Sequence, residues 1–261
     1  MKKALFVFLA ILMLIPLAAC GGKDSDDWAY IKDKGKLIIG ITEYEPMNYY
    51  ENGTLVGFDT EFAEAVCTKL GVTPEFIIIN WDTKETELAA KKIDCIWNGL
   101  TVTQERKKNI GFSDSYLRNE QVVVIRTADA ALYSSAASLA GKTVVAETES
   151  AGEAAIEADL KSSTYVAVDA QSKALLEVKA GTAEAAVIDL TMANAMTGPG
   201  TEYSDLAIVT GIKMQPEEYA IGFRLNSSCI ATFNETVSGL VRDGTLRTLA
   251  NKYDLADLLI N

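Results

Sequence analysis

The 261-residue chain contains no histidine. That absence removes serine–histidine–aspartate chemistry, imidazole metal sites and imidazole acid–base work. Positive charge is also scarce, with 24 Lys and Arg against 36 Asp and Glu, a net charge of −12. Nucleic-acid binding relies on neutralising phosphates, and attachment to an anionic membrane by charge relies on a polybasic patch, so both are disfavoured. The four cysteines form no CxxC pair, which argues against a thiolate metal site. What remains is 49% apolar and 23% charged, the composition of a packed globular protein. The length suits one large domain or two smaller ones.

The first residues differ in kind from the rest. Lys2-Lys3 is followed by an apolar run from Ala4 to Ala19, which "LAAC" closes at Cys20. The run is short for a membrane span, which needs about 20 apolar residues, and Pro16 sits near its end, so it reads as an export signal. "LAAC" with Gly21-Gly22 behind it resembles a bacterial lipobox. That resemblance implies cleavage before Cys20 and attachment of lipid, palmitate among it, to give a lipoprotein. Cleavage removes two lysines and leaves a still more acidic chain, so lipid rather than charge is the expected means of holding it at a bilayer. Stable anchoring needs more than one acyl chain. Cys67, Cys95 and Cys229 are then an odd set and form no disulfide framework. They read as small buried side chains, with a Cys67–Cys95 bond left open because geometry decides it.

From Lys36 the pattern alternates. "KLIIGI" is a buried strand, and "GFDTEFAEAVCTKLG" places Phe58, Phe62, Val66 and Leu70 on one helical face with Gly71 as a stop. "EFIIIN", a short helix in "TKETELAAKK" and "IDCIWNG" follow. The middle repeats the plan with "GKTVVA", "SAGEAAIEADL", "TYVAVD", "SKALLEVKAG", "AEAAVID" and "TMANAM". Strands separated by helices imply parallel βαβ units, here in two similar α/β lobes. Two extended stretches, 119–125 and 214–223, flank the second lobe and no Pro/Gly-rich linker divides the halves, so a two-strand hinge is expected. The division is then 1–19 leader, 20–35 lipidated terminus and linker, 36–120 with 215–261 as one lobe and 121–214 as the other. In the tail, Phe233, Val237 and Val241 are expected to share a face.

Ligands bind beyond the carboxyl ends of strands in such sheets. That rule nominates Thr42, Glu43 and Tyr44, then Asn98, Gly99 and Thr101, and in the second lobe Glu147 to Gly152 and Asp189. Thr103 is read as a helix N-cap with Arg106 one turn in, a fork that grips a carboxylate in bidentate fashion. The plainer reading of Arg106 is a surface ion pair, and that of Asp189 a helix cap. On facing lobes the two fit a zwitterion. Tyr44 and Trp81 follow strands and offer aromatic faces, or serve as core; Trp97 lies inside a strand run and Trp28 ahead of the fold.

Taken together, "GKLIIGITEYEPMNYYENGTLVGFDTEFAEAV", "KKIDCIWNGLTVTQERKKNIGFSDSYLRNEQVVVI", "LAGKTVVAETESAGEAA" and "AAVIDL" make residues 36–256 resemble the family 3 solute-binding proteins of amino-acid ABC transporters. The resemblance implies a type II periplasmic-binding-protein-like clamshell, a central sheet with flanking helices in each lobe, and an α-amino acid in the cleft. By position it implies that Arg106 and Thr101 hold the α-carboxylate with Ser150 and the amides near Ala151. Asp189 takes the ammonium with Asn98 and Gly99, Tyr44 and Trp81 surround the side chain, and Glu147 meets its far end. It implies no cofactor and no metal. The partners implied are an ABC permease with its cytoplasmic ATPase, at the extracytoplasmic face of a bacterial membrane, the protein itself being a monomer. The chain departs from the family where Glu149-Ser150-Ala151 stands in place of Gly and two Ser/Thr, and where Thr42 replaces an Asp.

Glu43, Glu45 and Glu147 suggest an acidic pocket and a polar side chain on the ligand, with basic side chains as a subset. Two alternatives are an enzyme on the same fold, of the cyclohexadienyl-dehydratase type with Glu147, Glu149 or Glu153 as acid, and a ligand-sensing partner of a signalling receptor. With no imidazole, a grip by Arg106 and Asp189 is expected to be nearly flat from about pH 6 to 8.

Overall fold

The computed structural model describes residues 26–260; the leader, Cys20 and its expected lipid, and residue 261 lie outside the described residues. The stretch expected as linker is partly a helix, α1 (Asp27–Lys34). Asp26 caps it by accepting the Ala29 N–H, and Gly35 closes it in the left-handed conformation. Ile31 is fully buried, and Asp27 pairs with Arg224 at 3.0 Å, so this helix is docked on the fold and does not swing from it.

The first lobe begins with β1 (Lys36–Ile41), a hairpin of β2 (Tyr49–Glu51) and β3 (Thr54–Val56), and α2 (Phe58–Leu70), which ends on left-handed Gly71. It continues through β4 (Thr73–Ile78), α3 (Lys84–Ala89), β5 (Cys95–Ile96) and β6 (Ile110–Phe112). Strand β7 (Leu117–Arg126) carries the chain into the second lobe, which comprises β8 (Thr143–Glu147), α4 (Ala151–Asp159), β9 (Thr164–Val168), α5 (Gln171–Ala180), β10 (Ala185–Asp189), α6 (Leu190–Met196) and β11 (Leu206–Ile208). Strands β12 (Pro216–Tyr219) and β13 (Gly222–Arg224) return it, and α7 (Cys229–Arg242) and α8 (Thr245–Lys252) close it.

Each lobe is built on one sheet, as in a two-lobe type II binding-protein clamshell. The first has the order β4-β1-β5-β13-β6, with β1 parallel to β4 and β5 and the returning β13 antiparallel to its neighbours. The second runs β11-β7-β10-β8-β9, with β8 parallel to both β9 and β10. Strand β7 belongs to both halves: its first residues, Leu117 to Glu120, pair antiparallel with β12, and Gln121 to Ile125 pair with β10. The expected division after residue 120 therefore falls inside one continuous strand.

The core of the first lobe is aromatic. Trp97 and Phe62 meet edge to face at 4.9 Å, Phe223 and Phe233 at 4.9 Å, and Trp28 closes over Phe233 at 6.1 Å. Trp97 is thus core. The face of α7 is not the expected one. Phe233 and Leu240 are buried and Val237 packs against the core, but Val241 is 38% exposed. At about 100° per residue, position 240 returns to the azimuth of 233 and position 241 overshoots it. Cys67, Cys95 and Cys229 are free thiols, all buried, and burial raises the pKa of each. Among the described residues no helix is long and apolar enough to cross a membrane. Truncating Phe233 to Ala removes a fully buried ring from this cluster and is expected to cost about 3–5 kcal/mol in urea unfolding. A loss below about 1 kcal/mol would contradict its place at the centre of the core.

Candidate ligand-binding site

The carboxyl ends of β1 and β5 face those of β8 and β10 across a narrow, nearly closed pocket with about 10 Å³ of open space. From the first lobe it is lined by Thr42, Tyr44, Trp81, Asn98, Gly99, Thr101 and Arg106, and from the second by Glu147, Ser150, Ala151, Gln171 and Asp189. Trp81 and Glu147 also border a neighbouring space of about 220 Å³ with Asn80, Asp82, Thr148 and Asp169. Glu43 is exposed and does not line the pocket, which corrects the expectation that it does. Tyr44 next to it turns inward, so its neighbour on the extended chain turns out.

Arg106 is 7% exposed and reached by a shorter route than expected. The segment is a single 3-10 turn, Arg106–Lys108, not an α-helix, and its N-cap is Glu105 rather than Thr103, although the Thr103 hydroxyl accepts the Arg106 N–H at 3.1 Å. The guanidinium donates to Thr101 O at 2.9 Å and to Glu149 O at 3.0 Å, the second across the cleft. Both partners are neutral carbonyls, and among the described residues no carboxylate forms an ion pair with it. Burial pulls its pKa down, and Asp189, Glu217, Glu85 and Glu147 oppose that shift. Its remaining N–H groups are available to a bidentate anion.

Asp189 stands opposite, 5% exposed. It occupies the N-cap position of α6 but makes no capping bond. Three amides hold it instead. Asn119 and Gln121 donate to Oδ1 at 2.5 and 2.8 Å, and Gln171 donates to Oδ2 while accepting the Asp189 N–H at 2.9 Å. Burial raises its pKa, and hydrogen bonding from Tyr219 and from these three amides lowers it. Neutral amides orient the carboxylate without cancelling its charge.

The other expected residues divide by what they already hold. Asn98 is occupied with Thr42, accepting its N–H and hydroxyl and donating to its carbonyl. Gly99 has a φ of 58° and donates its N–H to Asp59; a Cβ there would lie 2.6 Å from the Tyr44 ring, so only glycine lets the loop pass beneath it. Ser150 caps α4 by accepting the Glu153 N–H, and Ser150 and Ala151 at the start of that helix line the pocket. Thr101 donates its hydroxyl to Glu217 at 3.3 Å. The Tyr44 hydroxyl bonds Thr191 at 2.5 Å, from one lobe to the other, and Tyr219 at 2.6 Å on the returning strand. Trp81 lies under two cations, with Lys84 Nζ 4.9 Å and Arg106 Cζ 5.9 Å from its ring centre.

Glu147 is the outlier. It is 4% exposed, and among the described residues no donor bonds its carboxylate. Burial, then Asp189, push its pKa up to about 8, against weaker help from Lys84 and Arg106. Glu217, joined to Asp189 through the shared donors Asn119 and Gln121, is raised to about 7. Lys84 is pulled down to about 8 by burial and by Arg106. Sequence reading missed Lys84, Asn119, Gln121, Gln171 and Glu217. Asn119 and Gln121 carried a signal, since polar residues at i and i+2 in an apolar strand share one face. The expectation of a flat pH response considers Arg106 and Asp189 alone; burial moves the Glu147 and Glu217 carboxyls and the Lys84 amine toward the neutral range without an imidazole.

The family model of the bacterial extracellular solute-binding proteins, family 3, matches residues 37–256. An L-cystine-binding protein of Bacillus subtilis is 30% identical over 97% of this chain and 97% of its own length. An arginine-binding extracellular protein of the same organism is 29% identical over 97% of this chain and 98% of its own. Among solved structures, an ABC uptake transporter substrate-binding protein of Streptococcus pneumoniae with bound histidine aligns with a TM-score of 0.82 at 29% identity, over 91% of this chain and 99% of that one.

The Glu147 proton has a consequence for stability. Its folded pKa of about 8 exceeds the ordinary 4.5, so the folded chain keeps a proton that the unfolded chain releases. This contribution is complete below pH 4.5 and is lost as pH rises to about 8. Glu147→Gln is therefore expected to raise the ligand-free melting temperature at about pH 8.5 and to leave it unchanged at about pH 4.5. An equal shift at both values would remove the cause assigned to it.

Proposed function

The chain belongs to the family 3 bacterial extracellular solute-binding proteins, and from that premise we propose that it binds a free α-amino acid between its lobes and delivers it to an ABC importer. One observation carries the reading. Arg106 and Asp189, buried on facing walls of one pocket, each lack a counter-charge, and a zwitterion supplies both. In this reading the α-carboxylate joins Arg106, Thr101 and the amides at Ala151, and the ammonium joins Asp189 beside Asn98 and Gly99. The two lobes, 36–120 with 215–261 and 121–214, close about β7 and β12. A ligand touching both lobes favours closure because its affinity for the closed arrangement exceeds that for the open one.

The side-chain preference rests on Glu147. A buried carboxyl without a donor, beside the Trp81 ring, is suited to a cation, so a basic amino acid is the proposed class. The curated relatives include an arginine binder and a cystine binder, and the solved neighbour holds histidine. The acidic reading of Glu43 contributes nothing to this choice, and Glu45 borders a different groove, with Lys252 and Asp254. For the dehydratase alternative, Glu147 has the raised pKa of a general acid but stands among groups that hold charge, with no second acid–base partner at its carboxyl.

Export and anchoring complete the proposal. The "LAAC" at Cys20 would carry lipid after removal of residues 1–19, holding the protein at the outer face of the membrane next to its permease. Cys20→Ala is expected to move the protein from the membrane fraction to the soluble one.

Arg106→Ala and Asp189→Ala are each expected to weaken binding by about 2–5 kcal/mol in calorimetry, because truncating one buried charge leaves the ligand's opposite charge buried without its partner. Wild-type affinity in either would overturn the site. A thermal-shift panel of the twenty amino acids tests the class, and stabilisation by glutamate or aspartate alone would refute it. For a cationic ligand, Glu147 must release its proton, so affinity is expected to rise from about pH 6 to 8, by at most about tenfold per unit, and to rise less in Glu147→Gln.

A further inference from the structure

Lys84 begins α3, lies outside the pocket lining and is 3% exposed. Its ammonium donates to Trp81 O at 3.0 Å within its own lobe and to Glu149 O at 3.1 Å in the other. Arg106 donates to that same Glu149 oxygen at 3.0 Å. One carbonyl of the second lobe thus accepts two charge-assisted bonds from the first, which uses both of its lone pairs. The oxygen is held in place for them. Glu149 has a φ of 57°, a left-handed backbone uncommon outside glycine. Its N–H donates to Glu153 Oε2 at 2.5 Å, and the next N–H, of Ser150, returns to Glu147 O at 3.2 Å.

We propose that Lys84 is a positioning residue that keeps the cleft shut, clasping Glu149 O beside Arg106 and so setting how long a bound amino acid is retained, without touching it. The proposal rests on the amino-acid-binding reading above. Arg106 alone would have to grip the ligand and bridge the lobes with one planar fork. A compact ammonium on a flexible stem takes a share of the bridge and leaves the fork free to face the pocket. Around Lys84, Arg106 disfavours its charge while Glu85, Glu149 and Glu147 favour it. A bond that exists only when the lobes meet acts after encounter, so it changes dissociation and leaves association alone. Because it does not reach the ligand, its effect is the same for all amino acids of one side-chain charge, unlike that of Glu147.

Stopped-flow binding of the amino acids that stabilise the wild type, measured with Lys84→Met and Lys84→Gln, separates these rates. Expected are dissociation faster by roughly tenfold, association unchanged, and the same factor for ligands of one side-chain charge. A wild-type dissociation rate in a folded variant overturns the clasp. So does a slower association, which marks support of the first lobe alone. Spin labels at Asp33→Cys and Lys161→Cys, exposed positions on opposite lobes, supply a readout that needs no ligand. Longer interlobe distances in Lys84→Met than in the parent support the clasp, and identical distributions overturn it. If the wild type binds no amino acid, the binding reading fails, and the distances still decide the clasp.

Discussion

Two unlike charges are kept buried and apart in this molecule, and most of the cleft follows from that constraint. A guanidinium and a carboxylate removed from water would gain by meeting, and a direct pair would fill the pocket with protein. Arg106 is tied instead to the carbonyls of Thr101 and Glu149, and Asp189 to the amides of Asn119, Gln121 and Gln171. Each partner is polar enough to support the charge and neutral enough not to cancel it. Burial with only neutral partners is costly, and the cost is what makes the pocket receptive to a ligand that carries both charges in the right order.

The same scarcity of water accounts for the ionisation of the site. Without histidine, groups that change charge near neutrality are not expected from composition. Desolvation produces them anyway: Glu147 and Glu217 are raised to about 8 and 7, and Lys84 falls to about 8. The direction is the one burial imposes, with acids pushed up and bases pushed down. Glu217 adds a route between hinge and ligand, since it shares the Asn119 and Gln121 amides with Asp189 and sits on the returning strand beside Thr101.

Much of this is legible in the residues, and the remainder has physical reasons for being hidden. Alternating strands and helices announce two α/β lobes, the rule of strand carboxyl ends leads to Thr101, Glu147 and Asp189, and the turn expected after Thr103 leads to Arg106. Arg106 cannot be told from a surface arginine in "ERKK", because exposure depends on what the other lobe brings against it. Lys84 looks like one more lysine on a polar helix, and its burial likewise exists only across the cleft. Glu43 misleads because a carboxyl-end position fixes where a residue is along the chain, not which way its side chain turns. Residues 27–34 look like a tether because Arg224, the partner that docks Asp27, is distant in sequence. Local pattern conveys periodicity, whereas contacts between remote segments decide burial and charge.

Choice and retention then fall to different atoms. In the proposed reading the zwitterion meets groups that each lobe already carries, Arg106 on one side and Asp189 on the other. Glu147 shares its part of the pocket with Trp81, so in that reading its influence would differ among ligands. The contacts at Glu149 O, and at Tyr44 with Thr191, form between protein groups on the two sides of the pocket. They contribute equally for ligands of one side-chain charge small enough to let the lobes meet. A receptor that must surrender its cargo to a transporter benefits from that separation: pulling the lobes apart breaks the protein–protein bonds first, and the ligand is then left with one lobe's grip instead of two.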